Sequence, residues 1–453
     1  MNPQGERWTT DQVLALAPDE ASHRAGGKLA APGPWSETGA DGGAVWGQCK
    51  GSGKKPYQTA VDLNGPAFQC SCPSRKFPCK HALGLLLLWA GGGGEVAAGK
   101  PSPWADEWLA GRRERAERAT TAPSGADAPS RAPADPEAAR RRAERRMQRI
   151  GAGATELEQR LEDLLQSGLA ADGNGGGSWD ETAARMVDAQ APGLAARVRE
   201  LSSVVASGPD WPARLLEECA LLHLLDQGFL GIERLPGPLA ATVRARVGLT
   251  TEAADLLTGP DAATVRDRWL VLAQQDSDDG MLLTRRIFLR GERTGRMALH
   301  LSFGGSTGRP LDLALPPGLV LDADLAYYPG ARPLRATFGE RHAPVTHGPV
   351  PPGGGIDAAL AAYGDALRDD PWLDSWPVVL SEVTPIPSRD GTGWQLADAD
   401  GESALPLDPR CVGRTSLWQL VALSGGAPVT VFGECGHRGL LPLTAWDPTP
   451  VPL

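Results

Sequence analysis

Residues 70–81 read CSCPSRKFPCKH, which places Cys70, Cys72, Cys79 and His81 within twelve consecutive positions of a chain of 453 residues. The whole chain holds seven cysteines and seven histidines, so no other feature constrains its folding as tightly. Seven cysteines are too few for a disulfide scaffold at this length, and clustered thiols in a reducing compartment read first as metal ligands. Zinc takes four Cys or His ligands tetrahedrally, with Zn–S near ~2.3 Å and Zn–N near ~2.0–2.1 Å. A catalytic zinc keeps one position open for water or substrate, whereas this quartet fills all four. The pattern predicts one closed, structural Zn²⁺ held by Cys70, Cys72, Cys79 and His81.

The spacing fits a strand–loop–helix. The stretch AFQCSC (67–72) is strand-like, and residues two apart on a strand share a face, so Cys70 and Cys72 point together if the strand bends at its end. Pro73 withdraws a backbone donor and stops pairing. Pro78 is suited to opening a helix, which puts Cys79 at its start and His81 in its first turn. The run ALGLLLLW (82–89) then packs that helix on the sheet. A unit this small needs such a staple, and structural zinc contributes on the order of 10 kcal/mol in small fingers.

This C-x-C-x6-C-x-H pattern resembles the SWIM zinc finger, found in bacterial proteins, Swi/Snf-type ATPases and Mutator-type transposases. The flanking words WGQCKGSGKKPYQTAVDL and FQCSCPSRKFPCKHALGLLLLW look like a bacterial subgroup of that family, over roughly residues 40–92. The resemblance implies a ββα fold with Cys70, Cys72, Cys79 and His81 as ligands, and a role in contacting DNA or protein. It also implies work beside MoxR-type AAA ATPases and von Willebrand A-domain proteins, as a non-catalytic assembly or adaptor subunit. It says nothing of residues 150–453.

Around the finger the chain reads as α+β. Residues 1–92 form an N-terminal domain with short helices near 10–17 and 22–31 and strands at 44–49, 57–63 and 67–72. Residues 93–135, rich in Gly, Pro and Ala, read as a flexible linker. A helical region spans 136–280, opening on Pro136 and running to about Leu169, with Gly151 and Gly153 as weak points. A β-rich mixed region, 281–453, follows, with a helix near 356–367.

The net charge of −10 gives no global attraction for nucleic acid. Locally the balance reverses: between Ala44 and Ala90 six positive residues stand against Asp62 alone. Lys54, Lys55, Arg75, Lys76 and Lys80 are the candidate contacts to phosphate or to an acidic protein surface. A second basic run, Arg140, Arg141, Arg142, Arg145, Arg146 and Arg149, lies on the helix after Pro136. His223, on an apolar helix, reads as a core histidine, and Cys435-Gly-His437 lacks a partner pair for a second metal site. No catalytic motif or phosphate loop is present, and the acids of 365–376 have no assignable base or nucleophile, so neither an enzyme nor a small-molecule substrate is indicated. No run reaches the ~20 apolar residues a bilayer needs. MNPQGERWTTDQ lacks the apolar core of a signal peptide, so the expected location is the cytoplasm.

Overall fold

The computed structural model describes residues 7–121, 136–168 and 176–453, except 15, 18–19, 52–54, 64–66, 75–77, 206, 209, 260–261, 279–281, 306–312, 344, 390, 392 and 412–414. The chain opens with α1 (Thr10–Leu14) and α2 (Glu20–Gly27), followed by β1 (Trp35–Ala40), β2 (Ala44–Cys49), β3 (Tyr57–Asp62), β4 (Ala67–Cys70) and α3 (Lys80–Ala90). With β5 (Ala97–Ala98) these strands form one sheet in the order β4-β3-β2-β1-β5, so β3, β4 and α3 are the expected ββα unit built into a larger sheet. α3 is internal: His81 to Trp89 are all buried. Gly84 is the point of closest approach, because a Cβ there would lie 2.5 Å from that of Leu29.

Within the segment expected to be a linker, Pro103–Thr121 forms a helix, α4. Its Trp104, Ala105, Trp108 and Leu109 recur at helical spacing and cover Ala44, Trp46 and Ala60 on the outer face of the first sheet. Arg112 Nε donates to Asp62 Oδ2 at 3.2 Å, adding a polar tie. The rest of that expected linker, 122–135, lies outside the described residues.

The helical middle comprises α5 (Pro136–Ser167), α6 (Gly176–Asp188), α7 (Pro192–Val205), α8 (Trp211–Leu230), α9 (Gly237–Val247) and α10 (Ala253–Thr258). Ile150, Ala154, Leu157, Leu161 and Leu164 make a continuous buried stripe on α5 against Trp179, Leu194, Leu215 and Leu222. Gly151 and Gly153 do not weaken α5, which runs through both. At Gly153 an added Cβ would come 2.6 Å from the Ala189 Cβ, so the missing side chain permits close packing.

The helical region ends earlier than the sequence pattern indicates. Thr264–Asp278, read within a helical span, is the long strand β6. Its Trp269, Leu270, Val271, Leu272 and Ala273 are buried on both faces, giving a continuous apolar run rather than the alternation that marks a half-buried strand. β6 joins β7 (Leu282–Gly291), β8 (Met297–Gly305), β9 (Leu319–Tyr327), β10 (Arg335–Arg341) and β11 (Thr346–His347). The order is β10-β8-β7-β6-β9-β11, and β10 also pairs with β9, closing five strands into a Greek-key barrel in which β8 and β10 run parallel.

The remaining elements are α11 (Ile356–Asp369), β12 (Ser375–Pro387), β13 (Trp394–Ala397), β14 (Ala404–Pro406), α12 (Thr415–Ser424), β15 (Val429–Gly436), β16 (Gly439–Asp447) and β17 (Thr449–Pro452). They form an antiparallel sheet, β14-β13-β12-β15-β16-β17, with α11 and α12 against it.

These parts share cores. One apolar cluster runs from Leu83, Leu86 and Trp89 of α3 to Trp269, Ile287 and Leu321 of the barrel. Gln12 of α1 reaches His347 Nδ1 at 3.2 Å, on the barrel's edge strand. Trp372 inserts into the helical core and donates to the Leu221 carbonyl at 2.9 Å, while Arg246 grips Asp370 through two nitrogens. Arg286 of β7 makes a similar fork to Glu434 of β15. The acids of 365–376 include three used in such pairs: Asp365 with Arg368, Asp369 with Arg332, and Asp370 with Arg246.

Candidate metal centre

β3 and β4 pair so that Thr59 lies opposite Cys70, the last residue of β4. Cys72 follows beyond the end of the strand. Cys79 occupies the N-cap position of α3 in extended conformation, and its side chain makes no cap hydrogen bond, which leaves the sulfur free for another use. His81 lies one residue inside the helix. These elements bring the Cys70, Cys72 and Cys79 sulfurs and one His81 ring nitrogen within 4.8 Å of one another. For the bond lengths of a tetrahedral zinc, a sulfur and a nitrogen ligand stand about 3.6 Å apart. Cys70 Sγ and His81 Nδ1 are 3.7 Å apart.

Cys79 is 1% exposed and His81 5%, whereas Cys70 and Cys72 are half-buried at the rim. Hydrogen bonding with Cys79 is the largest influence on both neighbours. With smaller contributions from His81 and nearby backbone it lowers Cys70 to about 4 and Cys72 to about 6, while Cys79 itself is held far above the ordinary thiol range. Burial alone would pull His81 down, but hydrogen bonds to Cys70 and Cys72 outweigh it and raise the imidazole. Cys70 and Cys72 are thus poised as thiolates beside a third sulfur and an imidazole, the donor set that suits a soft-ligand zinc site. When bound there, the ion cross-links the end of β4 to the start of α3.

Groups beyond the ligands hold the site in place. Thr59, fully buried, sits with Oγ1 3.2 Å from Cys70 Sγ, where its hydroxyl can donate to the thiolate. Tyr57 lies against the His81 ring, centroids 4.9 Å apart. Cys49 is fully buried outside the ligand cluster, and burial raises it above the usual thiol value, so it stays a thiol.

The proposed contact residues divide. Lys55 and Lys80 are exposed, whereas Lys54, Arg75 and Lys76 lie outside the described residues. Cys411 and Cys435 are buried singly, and His437 is engaged by Arg438 Nε at 3.2 Å. His223 is not a core residue: its side chain is 57% exposed and its Nδ1 lies 2.7 Å from Glu158 Oε2. Leu222 and Leu225 beside it are buried while Leu224 is 46% exposed, so the run of leucines around His223 does not mark a wholly buried helix.

Two further groups emerge only in three dimensions. Asp324, Glu340 and His342 converge on β9 and the end of β10, with His342 Nε2 at 3.0 Å from Asp324 Oδ2 and Glu340 largely exposed. A cleft of about 450 Å³ includes Gln274, Asp276, Arg286, Arg410 and Ser416 in its lining, and its two arginines are already paired, with Glu434 and Asp408. No helix among the described residues is long and apolar enough to cross a membrane.

Neither a curated protein nor a solved structure matches the chain. Two family models do: the SWIM zinc finger over residues 61–90, and the SWIM-associated four-helix bundle domain over residues 145–247. The first match encloses the whole ligand quartet, and the second runs from the first turns of the buried stripe of α5 to the end of α9. The chain therefore carries a SWIM zinc finger, built to hold one structural zinc ion, followed by a SWIM-associated four-helix bundle domain.

Proposed function

We propose that this protein is a non-catalytic scaffold whose zinc-clasped finger presents a basic outer surface to a macromolecular partner, DNA ahead of protein. The observation that carries this reading is the orientation of the finger. All four metal positions are met by Cys70, Cys72, Cys79 and His81, leaving no place for a substrate. From His81 to Trp89 α3 is buried, so it is a core element and not a helix free to enter a groove. What the finger offers outward includes Lys50, Lys55 and Lys80. Contacts of this kind favour phosphate backbone over base edges and weaken steeply with salt.

The barrel does not supply the contact by its usual route. Barrels of the oligonucleotide-binding type use the face of their second and third strands. Here Phe288 on β7 and Leu299 on β8 pack against Val379, Phe432 and Leu443 of the C-terminal sheet.

An electrophoretic shift at low salt tests the reading. The full chain should retard a DNA duplex, and Lys55→Glu with Lys80→Glu should abolish most of the shift while leaving zinc content at one per chain. An unaltered shift in that double variant removes the finger surface from the proposal. The alternative, an adaptor subunit of an ATPase complex contacted without nucleic acid, is supported instead if a partner co-purifies and survives nuclease treatment.

A further inference from the structure

The N-terminal half of α5 carries six arginines between Arg140 and Arg149, against Glu137 and Glu144. The structure sorts them. Arg140 pairs with Glu144 at 3.1 Å and Arg141 with Glu137 at 3.5 Å, each one helical turn apart. Arg146 turns sideways, and its Nη2 donates to the Gly248 carbonyl at the end of α9, at 3.1 Å. Arg142, Arg145 and Arg149 are exposed and make no ion pair or hydrogen bond among the described residues.

Those three are separated by three and four positions, so they stand in line on one face of the helix. The opposite side, with Met147, Ile150 and Ala154, is packed in the bundle core. Arg142 with Arg145, Arg145 with Arg149, and Arg142 with Arg146 are like-charge neighbours at helical spacing, an arrangement that destabilises an isolated helix. A chain with net charge −10 has acids to spare, yet none of those described neutralises this row. At a rise of 1.5 Å per residue the row spans about 10 Å, close to three phosphate steps of about 3.4 Å along one strand of a duplex. Guanidinium groups match phosphate oxygens two at a time, and a straight row suits a linear polyanion better than a compact acidic patch.

We propose that Arg142, Arg145 and Arg149 form a docking row for the phosphate backbone of nucleic acid, a second contact surface on the four-helix bundle domain, distinct from the finger. This rests on the reading of the protein as a macromolecular-contact scaffold but on none of the finger's lysines. The negative body does not cancel the row, because at physiological salt charges separated by more than about 8 Å are largely screened.

The test is fluorescence anisotropy of the zinc-loaded full chain with a labelled duplex of about 20 bp, titrated between about 50 and 200 mM salt. Three phosphate contacts contribute about −2.7 to the slope of log K against log salt. Arg142→Gln, Arg145→Gln and Arg149→Gln together should weaken binding at least tenfold at low salt and flatten the slope by about that amount, with unchanged circular dichroism. Arg140→Gln with Arg141→Gln, whose parent residues are paired on their own helix, should weaken it less. Binding by the triple variant with the wild-type slope overturns the proposal, as does a wild-type chain that binds no duplex. Loss in Lys55→Glu with Lys80→Glu but not in the triple variant places the contact on the finger alone, and the reverse leaves the row standing without the finger.

Discussion

The zinc finger and the helical bundle each bury ionisable side chains, and they resolve the cost in opposite ways. In the finger, three sulfurs and an imidazole converge within 4.8 Å, and a divalent cation meets all of them at once. In the bundle, Asp226 on α8 is completely buried and Glu158 on α5 is 9% exposed, and neither Asp226 oxygen nor Glu158 Oε1 has a hydrogen-bond donor among the described residues. The other Glu158 oxygen accepts from Gln227 Nε2 at 2.9 Å and meets His223. Burial first, and the neighbouring Glu158 charge second, push Asp226 up to about 9. The pair therefore holds a proton at neutral pH where the finger holds an ion. Negative charge is gathered in one region and suppressed in the other, because soft sulfur donors reward a metal and two carboxyls in an apolar core do not.

Removing one finger ligand should have the largest effect. Cys79→Ser should release the zinc and unfold the β3–β4–α3 unit, a loss on the order of 10 kcal/mol of metal-coupled folding. Elemental analysis should fall from one zinc per chain to none, with loss of helical and tertiary circular dichroism. Because α3 shares its core with the barrel, Trp269 fluorescence should change too. Stoichiometric zinc retained in the variant would refute the ligand assignment.

Next in size is the bundle. A carboxyl whose folded value is raised above its unfolded one contributes stability fully below the unfolded value, and loses it as pH rises through the folded value. For Asp226 the decline runs from about 4 to about 9. Asp226→Asn, which keeps the shape and can donate permanently to Glu158, should flatten that decline and raise stability above neutral pH by about 1–3 kcal/mol. Urea unfolding of both proteins across the range measures it, and a steeper decline in the variant would show that the proton is not shared.

The smallest effect concerns support for the metal. Thr59→Val removes the hydroxyl beside Cys70 while keeping the volume, and zinc affinity should fall about tenfold by competition with a chelator, with the fold retained. An unchanged affinity would reduce Thr59 to packing.

The ligand quartet was legible because all its members lie in twelve residues and local strand and helix periodicities carry them to one point. The leucine helix after it was legible for the same reason, as were most strands of the N-terminal domain. β6 was not: with both faces covered by barrel and C-terminal sheet, its apolar run has no period that separates strand from helix. α4 was hidden by its setting, since Gly- and Pro-rich flanks mark a linker whatever a short apolar stripe between them does.

Local sequence alone determined the metal centre, the arginine run and the succession from finger to helices to strands, since each depends on residues close together in the chain. Tertiary structure alone decided that Glu158 meets Asp226 across two helices, that α3 is core to the barrel as well as to the finger, and that Arg142, Arg145 and Arg149 have no partner among the described residues. Those outcomes depend on surfaces brought together from distant segments, where burial and charge neighbours are set by packing and not by spacing.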